Sequence, residues 1–278
     1  MTSTSDGGSD DAVREEVLRS GELTVIGRIR SASNATFLCE ANLGEQQVHC
    51  VYKPIAGEAP LWDFPDGTLA GRERGAYVVS AALGWNIVPY TIIREGPAGE
   101  GMVQLWVDQP GDEVDDERPP GPDLVDLLPA GRIPPGFLPI LQAYDYAGDE
   151  VTLVHADDDR LRRMAVFDVL VNNADRKGGH ILSGVDGRVY GVDHGVTLHV
   201  EDKLRTVLWG WAGKPVDDQT LESVAALRDQ LRDGLADELC TLITEREVAA
   251  LLARTVALLS DPVMPRPDRR RPIPWPAF

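Results

Sequence analysis

Asn172-Asn173-Ala174-Asp175-Arg176-Lys177-Gly178-Gly179-His180 is the densest polar cluster in the chain. It follows directly on an apolar helical pattern, Leu161 to Val171, and precedes the apolar pair Ile181-Leu182. A polar loop pinned between two buried elements is held rigidly, which suits a catalytic loop. Asp175 and His180 stand five residues apart, and thirteen residues further on comes Val192-Asp193-His194-Gly195, an acid at a strand end followed by a flexible glycine. Two aspartates and a histidine, from two loops beside one short hairpin, can converge on a divalent ion and a transferable phosphoryl group.

Upstream of this loop the chain reads as β-rich. Leu23 to Ile26 runs through Arg28-Ile29-Arg30 to a small polar turn, Ser31-Ala32-Ser33-Asn34, and Thr36 to Cys39 leaves it as a hairpin partner. Val48 to Lys53 predicts a third strand, stopped by Pro54. Arg72 to Leu83 predicts a helix capped by Gly84, and Thr91-Ile92-Ile93 with Met102 to Val107 predict a strand pair. Downstream, Arg160 to Val171 carries helical periodicity, and Thr244-Glu245-Arg246-Glu247 is a capping box opening a helix to about Leu259. Between them Ile181-Leu182 and Arg188 to Val192 form a short β region. The expected organisation is a disordered or short-helical stretch over 1–21, with disorder to about residue 12. A β-rich N-lobe covers 22–107, an acidic Pro/Gly-rich linker or insertion 108–139, a mainly helical C-lobe 140–260, and a Pro/Arg-rich extended tail 261–278.

The 278 residues are 43% hydrophobic and 26% charged, ordinary for a globular protein with a real core. No apolar run reaches transmembrane length and the first residues lack a signal-peptide pattern, so no stable membrane insertion and a cytoplasmic location are expected. Three scattered cysteines give neither a disulfide framework nor a zinc knot. The net charge of −18 repels nucleic acid and anionic membrane. Only four lysines occur (Lys53, Lys177, Lys203, Lys214), which makes the position of each informative.

The spacing matches the protein-kinase pattern, in which a catalytic Asp is followed five residues later by a metal ligand, then by a hairpin and Asp-x-Gly. Lys53 ends an apolar strand, where a lysine needs a charged partner, and Glu73 near the start of the next helix can supply it. Ser31, Ser33 and Asn34 would cover the phosphates, and Gln104 to Val107, with Gln104 and Trp106, would face the adenine. At this point the chain resembles a family. Ala174-Asp175-Arg176-Lys177-x-x-His180 is similar to the Asp-Arg-His-x-x-Asn loop of phosphatidylinositol 3- and 4-kinases and their atypical-kinase relatives, and Val192-Asp193-His194-Gly195 to their Asp-Phe-Gly. Tyr52-Lys53-Pro54 and Glu73 to Pro89 resemble the small lobe of type II lipid kinases. Over roughly residues 22 to 260 the chain resembles an actinobacterial family of compact phosphatidylinositol-kinase-like proteins.

The resemblance implies an α+β, bilobal protein-kinase-like fold and an ATP-dependent phosphotransferase. It implies that Lys53 binds phosphate, Glu73 pairs with it, Asp175 orients the acceptor hydroxyl, and Asp193 with His180 holds the metal. His180 departs from the family asparagine, and imidazole suits Mn²⁺ better than Mg²⁺. The cofactors expected are ATP with Mg²⁺ or Mn²⁺, and the acceptor is a soluble protein or small molecule rather than a membrane lipid. Two other functions stay open: an AMP-transferring enzyme on the same fold, and a nucleotide-binding pseudokinase scaffold. The residues also have plain readings. Asp175 is good turn chemistry, Asn172, Asn173, His180 and His194 can satisfy local backbone, and Lys53 can snorkel. Glu73 can pair with Arg72, with Arg74 or with nothing. Trp209-Gly210-Trp211 can line a substrate groove or pack in the core. The tail can dock a partner or fold back on the domain.

Overall fold

The three-dimensional description rests on a computed structural model and covers residues 7–29, 34–111, 121–268 and 270–278. Helix α1 (Gly7–Ser20) leads into a five-stranded antiparallel sheet. Its strands are β1 (Glu22–Arg28), β2 (Phe37–Leu43), β3 (Gln46–Pro54), β4 (Thr91–Gly96) and β5 (Gly99–Leu105), in spatial order β1-β2-β3-β5-β4. Strand alternation in β3 separates two faces. Val48, Cys50 and Tyr52 are buried, in a small core shared with Val17 and Leu18 of α1, while His49, Val51 and Lys53 take the opposite face. Residues 7–12 are thus helical rather than disordered. Gly7, Gly8 and Ser9 are poor helix formers, and the helix is held by the burial of Val17 and Leu18 further along it.

Helix α2 (Leu69–Ala82) joins β3 to β4. Its N-terminus is fully provisioned: Thr68 Oγ1 accepts from Gly71 N–H, and the Glu58 carboxylate accepts from Leu69 N–H and Ala70 N–H at 2.9 and 2.8 Å. Gly84, at φ +69, lets the chain leave the helix.

The stretch expected as a linker followed by helix holds a second sheet instead. Its strands β6 (Val125–Pro129), β7 (Phe137–Tyr144) and β8 (Glu150–Ala156) are antiparallel in the order β6-β8-β7. The prolines that signalled a linker sit where a sheet tolerates them: Pro129 ends one edge strand and Pro139 lies at a register shift in the other. Helix α3 (Asp159–Val171) follows, then the hairpin β9 (Ile181–Ser183) and β10 (Val189–Gly191). Helices α4 (Asp218–Arg232), α5 (Leu235–Cys240) and α6 (Glu245–Ser260) complete the fold, and Thr244 and Glu247 form the expected capping box. One large core gathers Val79, Leu161, Phe167, Leu170, Leu227 and Leu251 from α2, α3, α4 and α6. The chain is therefore a mixed α and β protein with antiparallel sheets and several helices. Among the described residues no helix is long and apolar enough to cross a membrane.

Candidate functional site

Lys53 leaves β3 on the face away from the α1 core, and two carboxylates from distant parts of the chain meet it there. Its Nζ donates to Glu73 Oε1 and to Asp193 Oδ1, each at 2.7 Å. Glu73 is 1% exposed, and its other oxygen accepts from the His194 N–H at 2.8 Å. Burial alone would discharge Lys53, but the Glu73 and Asp193 charges outweigh it and hold the ammonium well above its ordinary pKa. Burial pushes the Glu73 carboxyl up, with Lys53 pulling it back. The Lys53 ammonium holds Asp193 well below the usual carboxylate range, and the Asp193 side chain is half-exposed, open to a ligand. Asp193 sits at φ +62, a conformation that costs energy for any residue with a Cβ and gathers at functional sites.

The loop 172–180 is held by a buried ion pair. Arg176 and Asp168 are both fully buried, with Arg176 Nε and Nη2 donating to the Asp168 carboxylate at 2.9–3.1 Å. Asp168 also accepts from Asn173 Nδ2 at 3.0 Å and Thr206 Oγ1 at 3.1 Å. Arg176 Nη1 donates to the carbonyls of His180 and Val192, and Nη2 donates to His194 Nε2 at 2.7 Å. One guanidinium therefore ties the loop 172–180 to the loop 192–195. Because arginine only donates, His194 Nε2 must accept, which assigns its proton to Nδ1. Burial keeps that imidazole neutral, and its ring packs edge-on against Phe167 at 5.6 Å.

Asp175 receives its geometry from Asn173, whose Oδ1 accepts the Asp175 N–H at 3.0 Å. Burial pushes the Asp175 carboxyl up, and Lys177, with Nζ 3.2 Å away, pulls it down. Asp193 lies near enough to raise it further. His180 Nε2 is 3.4 Å from Asp193 Oδ2, and its Nδ1 is buried without a hydrogen-bond partner. Burial lowers the His180 pKa to about 4, so the ring is neutral at pH 7 with a lone pair available to a cation.

Lys53, Glu73, Asp175, His180 and Asp193 are therefore brought together, although 140 residues separate the first from the last. Asn34 lines a small cavity with Lys53, Glu73 and Asp193, and its Oδ1 accepts from Ala59 N–H at 2.9 Å. Ser31 and Ser33 lie outside the described residues. Gln104 is buried and donates to Thr91 Oγ1 at 2.8 Å. Trp106 lines a different cavity, of about 140 Å³, together with Tyr90 and Arg188. The structure does not bring either residue into the cluster around Lys53.

Several plain readings hold as well. Asn172 bridges backbone: Nδ2 donates to the carbonyls of His199 and Glu201, and Oδ1 accepts from Lys203 N–H. Trp209 and Trp211 are buried, with Trp211 Nε1 donating to Asp157. Arg72 turns from Glu73 to Glu247 on α6, at 2.6 Å, so a second buried ion pair anchors α2. Arg74 pairs with Glu238. Lys177, Asp168, Glu58 and the Arg72–Glu247 pair shape the site without having been singled out from spacing. Lys177 carried the one legible signal, a rare lysine inside the polar loop.

No family model matches the chain. It is 71% identical over 262 residues to Protein Rv2133c of Mycobacterium tuberculosis (strain ATCC 25618 / H37Rv), an alignment that covers 94% of each chain. The chain belongs to the family of that mycobacterial protein.

Proposed function

We propose that the protein is an ATP- and metal-dependent phosphotransferase on a bilobal protein-kinase-like fold, related to the phosphatidylinositol-kinase-like proteins and working in the cytoplasm. The observation that carries this reading is the Lys53 ammonium held between Glu73 and Asp193 at 2.7 Å to each. A partly buried cation with one fully buried and one half-exposed partner is built to exchange the exposed carboxylate's contact for phosphate oxygens. Lys53 would hold the triphosphate, with Glu73 fixing its direction. Asp193 and His180 fit a divalent ion as two donors, one a strongly ionised carboxylate and the other a neutral imidazole. Among the described residues no group of three or more His, Cys, Asp or Glu could hold a metal ion by itself. Once bound, that cation supplies charge neutralisation at the phosphates.

Asp175 orients the acceptor hydroxyl and takes its proton; its raised pKa makes it the stronger base. The acceptor oxygen forms a bond to the γ-phosphorus as the bond to the bridging oxygen breaks, and ADP leaves with that electron pair. Lys177, whose Nζ is 3.2 Å from Asp175, would meet the charge that develops on the transferred group.

The test is transfer of labelled γ-phosphate by the purified chain with Mg²⁺ and with Mn²⁺. Asp175→Ala should lower the rate about 10²–10⁴-fold, the range for loss of a general base, and Asp193→Ala should abolish transfer. Wild-type rates in both variants overturn the assignment. Label arriving from the α-phosphate instead indicates AMP transfer, and ATP binding with no turnover indicates a scaffold.

A further inference from the structure

The last turn of α3, one side of α6 and the segment 200–204 border a cavity of about 520 Å³, within the range of small-molecule sites. Helix α6 and its cap contribute Ala250, Arg254, Ala257 and Asp261, spaced by four, three and four residues, so they line up along one side of the helix. The alanines are small, and Ala257 is exposed, which leaves the space above them open. Val169, Val200 and Leu204 supply an apolar wall. None of Lys53, Glu73, Asp175, His180 or Asp193 lines this cavity.

Arg254 is the single cation among the described lining residues. Its Nε donates to the Leu170 carbonyl at 2.8 Å and its Nη1 to the His199 carbonyl at 3.1 Å. The first bond sets a positive charge at the C-terminal end of α3, where a helix favours one. Both acceptors are neutral, and Nη2 is buried with no hydrogen-bond partner. Burial lowers the Arg254 pKa to about 10, so the group is still charged at pH 7, and the charges of Asp202 and Glu247 oppose the shift. Glu247 is committed to Arg72 at 2.6 Å, whereas Asp202 lines the cavity itself. A guanidinium short of an acceptor matches a carboxylate, whose two oxygens fit its planar fork. A carboxylate alone, however, would be set beside Asp202, and an amine alone would leave Nη2 unpaired. A ligand with one charge of each sign and an apolar body answers all three features.

We infer that this cavity binds a free apolar α-amino acid, with the ligand carboxylate on Arg254, turned to bring Nη2 to it, the ammonium on Asp202, and the side chain on Val169, Val200 and Leu204. The inference stands apart from the phosphotransferase reading and shares no residue with it. Titration calorimetry on the full chain tests it with L-leucine, L-phenylalanine and L-tryptophan as probes. Glycine, N-acetyl-L-leucine and L-leucinamide serve as controls that lack the apolar body, the ammonium and the carboxylate in turn. At least one of the three amino acids should bind, and more tightly than each control by about tenfold or more, the value of one charged hydrogen bond. Ala257→Trp fills the cavity from an exposed helix position and should abolish binding without lowering the melting temperature. Asp202→Asn should weaken the free amino acid by about tenfold and leave N-acetyl-L-leucine unchanged. Absence of binding by all three amino acids overturns the inference. So does N-acetyl-L-leucine or L-leucinamide binding as tightly as leucine, which would assign the cavity to a peptide terminus, and so does unchanged binding in Ala257→Trp.

Discussion

Replacing Lys53 with methionine probes the centre of the site through stability alone. Methionine keeps an apolar stem of similar reach and removes the ammonium. Glu73, 1% exposed, is then left with the His194 N–H and no cation. Orphaning one partner of a buried ion pair costs about 3–5 kcal/mol. Lys53 is 22% exposed and Asp193 can turn to water, which places the loss at the low end of that range, about 3 kcal/mol. For a chain of this size each kcal/mol moves the melting temperature by about 2–4 °C, so the variant should melt roughly 6–12 °C lower. The loss should also depend on pH. Burial and the Asp193 charge push the Glu73 carboxyl up, and without Lys53 nothing comparable pulls it back. A raised carboxyl pKa contributes stability that is present below the unfolded value and lost as pH rises through the folded one. The deficit of Lys53→Met should therefore be small near about pH 5 and larger near about pH 8. Urea denaturation followed by tryptophan fluorescence at both pH values measures this. Adding Glu73→Gln to the Lys53→Met background removes the orphaned charge and should restore at least about 1 kcal/mol at the higher pH. A double variant no more stable than Lys53→Met, or a deficit equal at both pH values, would refute the argument that a buried, uncompensated carboxylate is the cause.

The Asp168–Arg176 pair should behave as a structural lock: Asp168→Ala should cost about 3–5 kcal/mol in urea denaturation, because it leaves a fully buried guanidinium without its carboxylate. Thr244→Ala removes a helix cap whose hydroxyl accepts from the Glu247 N–H and should cost about 1 kcal/mol, read by the same titration. His180 has a folded pKa of about 4, below its ordinary value, so the folded chain resists a proton that the unfolded chain takes up. Stability should fall as pH drops from about 6.5 to about 4, by about 2–3 kcal/mol for this group, and His180→Asn should flatten that limb in melts across the range. The same variant should move the divalent-ion preference of ATP turnover by several-fold from Mn²⁺ toward Mg²⁺; an unchanged ratio would remove His180 from the cation site.

Much of the fold was legible because its local signals agreed with its tertiary placement. The Thr244–Glu247 box, the Gly84 stop and the alternation in Val48 to Lys53 each state a local rule that the structure obeys. The second sheet was not legible. Prolines at 129, 134, 135 and 139 read as breakers; Pro134 and Pro135 fall in the β6–β7 connection, and the edge positions of β6 and β7 make Pro129 and Pro139 compatible with strands. Helix α1 begins earlier than its sequence predicts for the converse reason: its first residues have low propensity, and the contacts that hold it come from a sheet formed later in the chain.

For the site, residue type and chain order name the members. A lysine on a strand, a glutamate on the next helix and two aspartates in polar loops at fixed spacing were readable because chemistry restricts residue type and chain order restricts which elements carry them. Packing sets the direction in which each side chain points. Lys53 reaches Glu73 and Asp193 because strand alternation turns it away from the α1 core, whereas Arg72, beside Glu73 in sequence, turns to Glu247 because one helical step rotates it about 100° around the axis. Gln104 on β5 is committed to Thr91 for the same reason, and Trp209, in a single tight turn, is committed to Pro272. The course of the tail over Gly178 lies beyond any sequence rule, since proline-rich chain has no internal hydrogen-bond pattern and its path is set by the groups it finds, here the Gly178 and Thr206 N–H groups.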